Sequence, residues 1–249
     1  MKRSALLDRR WLWPLLALAV AAGLLVGNRF LGRQTGEAVY EIWYEGQRIG
    51  EEQAAYVRDR ASGTAVLTTS SKLTTPYGPV WLDSEAHFSL PGFVLTQYRV
   101  TSMGEMCLAE FALERRDGRF RFTTGGAVGG RDSELAAEPD ALLLDNNIAA
   151  HYQVLAWRWH AGGGEALMCP VVVPQAGKVF DGQIEPQEAR EATLGGRAVT
   201  ARRLRVTVES LAADVWVAES TGDLLGVTLY GEHEAGYRRA GVRGLSGEE

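Results

Sequence analysis

AVYEIWYEGQRIGEEQAAYVRDR, residues 38–60, decides the fold. In Ala38–Tyr44 the residues alternate, with Tyr40, Ile42 and Tyr44 on one face. A period of two is the mark of a β-strand with one side buried. Glu45-Gly46-Gln47 supplies a turn, and Arg48–Arg60 runs back beside the first strand. The same reading extends outward. Ala61-Ser62-Gly63 turns into Thr64–Thr75, Pro76-Tyr77-Gly78 precedes Val80–Leu90, and Pro91-Gly92 precedes Phe93–Ser102. Met106–Arg116 follows, then a turn at Asp117-Gly118 and Arg119–Thr124. β-branched and aromatic runs broken by Gly, Pro and Asp are consecutive hairpins. Parallel strands would need helical crossovers, and the spacing leaves no room for them.

The pattern changes between Gly125 and Gly164. Gly125–Gly130 reads as a flexible loop, and Leu142–Leu144 is apolar. Ile148–His160 is the one helix expected outside the N-terminus, with Ile148, Tyr152, Leu155 and Trp159 forming an apolar stripe. An Asx residue from Asp145-Asn146-Asn147 is expected to cap it, and Gly162-Gly163-Gly164 to end it. Strands resume at Ala166–Val173, Lys178–Glu185, Arg190–Leu194, Arg197–Val208, Asp214–Ser220 and Leu225–Glu234. Gly195-Gly196 reads as a two-residue hairpin turn and Thr221-Gly222-Asp223 as another. The tail from Gly241 is expected to fray. The expected fold is mainly β: a large, curved antiparallel sheet, a half-barrel or open barrel, with one α-helix packed on it. A two-sheet sandwich is the alternative.

Charge divides the chain of 249 residues. Residues 1–33 hold six basic residues and one acid, while the remainder keeps 20 basic and 30 acidic residues. A domain of net charge −10 does not suit a phosphate backbone, so no nucleic-acid partner is expected. Trp11–Gly27 carries no charge and spans about 25 Å as a helix. Lys and Arg at positions 2, 3, 9 and 10 precede it, which sets the N-terminus on the cytoplasmic side. The expected organisation is a basic tail at 1–10, a transmembrane anchor at 11–31 and an exported β domain at 38–240, joined by a linker at Arg33–Glu37. The alternative is a signal peptide cleaved after Ala19-Val20-Ala21. Cys107 and Cys169 either form a disulfide, which would stabilise by roughly 4 kcal/mol, or stay as two buried thiols.

Tyr44-Glu45-Gly46-Gln47-Arg48-Ile49-Gly50 resembles the first hairpin of bacterial envelope proteins with the LolA-like, lipoprotein-carrier fold. Val215-Trp216-Val217 followed by Gly222–Val227 also resembles that group, and Asp145-Asn146-Asn147 before the helix is similar to uncharacterised members of it. The likeness covers about residues 38–239. It implies a non-catalytic envelope protein of the bacterial inner membrane, its β domain on the periplasmic side, that binds a lipid-like or apolar ligand in the concave sheet. The anchor departs from soluble carriers of this type and implies local holding or hand-over of the ligand. The alternative is a structural or assembly subunit that docks on a membrane-protein partner.

The large aromatics serve either as core or as a cavity lining. For a cavity between sheet and helix, the expected lining is Trp43, Trp81, Tyr152, Leu155, Trp159 and Trp216. Trp81, Asp83, Glu85 and His87 share a face of one strand, which reads as a solvated face before it reads as an acid–base set. His151, His160 and His233 fit no metal spacing, and no cofactor is expected. No Gly-x-Ser-x-Gly elbow occurs, and Gly125–Gly130 lacks the Lys-Ser/Thr of a phosphate loop. Arg202, Arg203 and Arg205 read as an edge-strand charge cluster or, alternatively, a contact for a lipid headgroup or an acidic partner.

Overall fold

A computed structural model describes residues 32–245, apart from 77, 105–106, 127–130, 137, 139, 146 and 232–233. The basic tail and the proposed anchor at 1–31 lie outside the described residues, as does His233. Strands β1 (Arg33–Tyr44), β2 (Gln47–Asp59), β3 (Thr64–Thr75), β4 (Gly78–Ser89) and β5 (Val94–Gly104) form a meander. It continues through β6 (Cys107–Arg116), β7 (Arg119–Gly126) and β8 (Arg131–Ala136). The short β9 (Leu142–Leu143) leads to helix α1 (Ala149–Ala161). A second meander follows: β10 (Leu167–Val173), β11 (Lys178–Leu194), β12 (Arg197–Val208), β13 (Leu211–Ala218), β14 (Leu224–Tyr230) and β15 (Ala235–Arg239). Last comes β16 (Val242–Arg243).

The two meanders join where β1 pairs with β15, so β8 to β9 form one continuous sheet. All pairings are antiparallel except β9 with β10. One sheet forms, not the two of a sandwich. Register shifts at Ile42/Trp43, His87/Phe88, Pro186/Ala189 and Trp216/Val217 mark bulges, which bend strands. The sheet curls far enough that Leu95 N–H of β5 donates to Ala141 O, just before β9, yet it stays open.

Glu45-Gly46, Asp117-Gly118 and Gly195-Gly196 all have φ between 47° and 79°, the two-residue hairpin geometry their sequences favour. Other expectations shift. Arg33–Glu37 is not a linker but the start of β1, paired with Ala55–Asp59. Lys178–Glu185 and Arg190–Leu194 are one strand, bent at the Pro186/Ala189 bulge. β8 and β15 had no reading of their own. The tail does not fray at once: β16 pairs with β11.

The core fills the concave side. Tyr40, Leu67, Phe88, Leu95, Leu113 and Phe120 come from the first meander, and Val171, Ile184, Leu204, Val215 and Val227 from the second. α1 lies among them. Ten of its 13 residues are buried, so it is enclosed by the sheet and not merely packed by one stripe. On the convex side Ala192, Ala201, Trp216, Ala218, Leu225 and Val242 form a second, smaller cluster.

Candidate functional site

The start of α1 is built from charges that the sheet buries. Glu52 stands on the inner face of β2 and is fully buried. Its Oε2 accepts Ala149 N–H at 2.9 Å and its Oε1 accepts Ala150 N–H at 2.9 Å. Ser71 Oγ of β3 donates to Oε2 at 3.2 Å. A carboxylate from a strand thus takes the place of the expected Asx cap, and Ile148 at the cap position makes no side-chain bond. Burial raises the Glu52 pKa to about 7 despite the three donors that favour its charged form.

Asp145 forms the other side of this corner. Tyr98 Oη of β5 donates to its Oδ2 at 2.7 Å, and Asn147 N–H donates to its Oδ1 at 3.0 Å. Asp145 N–H donates to His151 Nδ1 at 3.1 Å, which leaves the imidazole proton on Nε2. Burial holds the His151 pKa down to about 4, so the ring is neutral near pH 7. The Tyr98 phenol is raised far above its ordinary value, by burial first and by Asp145 second. His151 bonds the Asp145 main chain, while the Asp145 carboxylate bonds Tyr98. That arrangement positions the start of the helix.

Beside this corner is a cavity of about 250 Å³. Leu82, Val100 and Phe111 of β4–β6, Ile148 and Pro174 make its apolar wall, with Ser102, Asp145 and Asn147 at its polar side. At the opposite end of α1, a cavity of about 630 Å³ lies among Arg58, Arg60, Phe93, Trp157 and His160.

The expected lining residues do not converge on either cavity. Tyr152, Leu155 and Trp159 are buried in the filled core, Tyr152 with its ring centroid 6.4 Å from that of Tyr237. Trp43 and Trp216 do meet, but in a groove with Arg238 and Leu245. There Trp216 belongs to the small convex cluster. Trp81 is exposed and faces Met103 across β4 and β5. Cys169 is a buried free thiol raised to about 11 by burial, and the side chain of Cys107 lies outside the described residues.

No family model and no curated protein matches this chain.

The remaining candidates settle on the surface. Glu85 and His87 bond each other at 2.5 Å on the solvent face of β4. Among the described residues, no three His, Cys, Asp or Glu side chains converge as a metal group would. Arg202, Arg203 and Arg205 lie on β12, an interior strand, not an edge. Arg203 and Arg205 each reach Asp214 at 3.0 Å, and Arg202 pairs with Glu219. Reading the sequence missed Glu52 and Arg58, and weighed Trp157 as core or cavity aromatic without placing it in the expected lining. The signal for Glu52 and Arg58 was parity: both share the inward register of Ala54 and Tyr56 on β2.

Proposed function

We propose that this chain is a non-catalytic binder of a lipid-like, apolar ligand, held at a membrane by its N-terminal apolar run, with its β domain extracytoplasmic. The likeness of its hairpins to LolA-like carriers supports the same reading. The observation that carries it is the apolar cavity at the start of α1, lined by Leu82, Val100, Phe111, Ile148 and Pro174. At about 250 Å³ it exceeds the ~150 Å³ apolar void that admits a benzene-sized guest. The inner face of β4–β6 supplies one wall, and the Glu52 and Asp145 corner fixes the turn into α1, whose Asn147 and Ile148 line the other side.

Purification of the full chain in a nonionic detergent, followed by mass spectrometry of the co-extracted lipids, tests this. A lipid retained by the wild type and depleted about tenfold in Val100→Phe, which fills the cavity, is the expected result. An equal lipid content in both, with equal melting temperatures, would sink the reading.

A second reading, a docking subunit of a membrane complex, is favoured by Trp81 and Met103. They oppose each other in register and are 40% and 42% exposed on the convex face.

A further inference from the structure

The cavity where α1 ends differs in chemistry from the one where it begins. The helix separates them by about 20 Å. Leu90, Phe93 and Trp157 give the far cavity an apolar wall, and the Phe93 and Trp157 rings stack with centroids 5.7 Å apart. Arg58 and Arg60 give it a cationic rim, with His160 beside them. Arg58 is partly buried, with its guanidinium carbon 4.4 Å from the Trp157 ring centroid and 5.5 Å from that of Tyr56. Its Nε is buried and has no hydrogen-bond partner.

Arg58 feels the attraction of Asp223 but is in ion-pair contact with no carboxylate. Among the described residues neither Arg58 nor Arg60 makes an ion pair, whereas all three arginines in the middle of β12 do. The nearby acids are already committed. Asp59 accepts the N–H groups of Ala61 and Ser62, and Asp223 faces Arg239 at 4.0 Å. The negative end of α1 is also blunted, because Gly162, Gly163 and Gly164 donate to its last carbonyls. In a chain of net charge −5, two arginines without a contact ion pair beside an aromatic wall suit an anion.

The cavity also sits where the chain enters the domain. Arg60 N–H donates to Gly32 O at 3.0 Å, and Gly32 follows the charge-free run at 11–27 by five residues. In sequence, then, the rim lies next to the apolar run that the proposed function sets in the membrane.

We propose that this second cavity binds an amphiphile with one anionic head, its carboxylate or phosphate on Arg58 and Arg60 and its chain against Trp157, Phe93 and Leu90. The site is separate from the cavity at the start of α1, and Val100→Phe tests that cavity alone.

The probe is 9,10-dibromostearate, whose bromines quench tryptophan emission, added to the full chain in a nonionic detergent. Its methyl ester, equally apolar and uncharged, is the control. Saturable quenching by the acid is expected, most of it lost in Trp157→Phe, with the ester about tenfold weaker. Arg58→Gln should weaken the acid about tenfold and leave the ester unchanged. Should Arg58→Gln melt below the assay temperature, Arg60→Glu on the exposed rim carries the same test. Displacement of the probe by lysophosphatidylglycerol, but not by equimolar inorganic phosphate, is expected from an amphiphile site. Equal binding of acid and ester, quenching that survives Trp157→Phe intact, or displacement by inorganic phosphate alone would each overturn the proposal. Val100→Phe should bind the probe as the wild type does, whatever its effect on retained lipid.

Discussion

Glu52 does from the sheet what an Asx side chain does from the chain just ahead of a helix. It accepts two of the four amides that a helix start leaves unpaired. The arrangement couples burial to pH, and His151 beside it is coupled in the opposite sense. Glu52 is raised from 4.5 to about 7, so between those values the folded state holds the proton more tightly and stability falls as pH rises. His151 is lowered from 6.5 to about 4, so there the unfolded state holds the proton more tightly and stability rises with pH. Between pH 4.5 and 6.5 the two slopes oppose each other. His151→Asn keeps an acceptor for the Asp145 amide and removes the titration. Urea unfolding should show the variant gaining on the wild type by on the order of 3 kcal/mol between pH 7 and pH 4. A gap that does not change with pH would mean that His151 is not held neutral. The sequence places the histidine within the expected helix, but does not show its partner. Asp145 lies six positions ahead of His151, and only the turn between them brings its amide to the ring.

At the scale of the element, strands with two-residue turns were legible almost to the residue. Thr64–Thr75 and Arg197–Val208 fall where alternation and glycine place them. β8 was not legible because its sequence, RDSELA, has no apolar alternation. It is an edge strand held by ion pairs, Arg119 with Glu134 and Arg121 with Asp132, to its one neighbour. The helix was legible as a helix but not as an enclosed one. Its buried polar positions are His151 and Gln153, whose amide spans Gly222 O and Leu224 N–H. A stripe analysis counts Gln153 as solvent-facing, because it cannot see a tertiary partner 69 positions away. Glycines inside strands carry a further requirement. A Cβ on Gly50 would stand 2.2 Å from the main-chain Lys72 O of β3, so alanine there must push two strands apart. A Cβ on Gly125 would meet nothing closer than Glu110 Cβ at 3.8 Å. Gly50→Ala should cost about 2 kcal/mol or more and Gly125→Ala less than ~0.5 kcal/mol, as read from denaturation midpoints at constant m.

Over the whole molecule, the single sheet decides how the parts depend on one another. Its inner face holds the main core and α1, while part of its outer face holds the small cluster around Trp216. Both clusters use β12, β13 and β14, so neither can melt without breaking ladders that the other needs. The strand pattern predicts one β domain over 38–240. It did not predict an outer cluster, because that cluster exists only where the tail returns. β16 pairs with β11, Leu245 packs against the cluster, and Arg190 both donates to Leu245 O and stacks 4.4 Å from the Trp216 ring centroid. Removing residues 241–249 strips Val242 and Leu245 from Trp216 and exposes the alanines beneath. That loss of apolar burial amounts to about 2–3 kcal/mol. The truncated chain should therefore unfold at lower denaturant, with its native tryptophan emission shifted to the red, but still in one transition by both fluorescence and circular dichroism. Two separated transitions would show that the outer cluster stabilises a unit of its own, and that the sheet is continuous in hydrogen bonds but not in cooperativity.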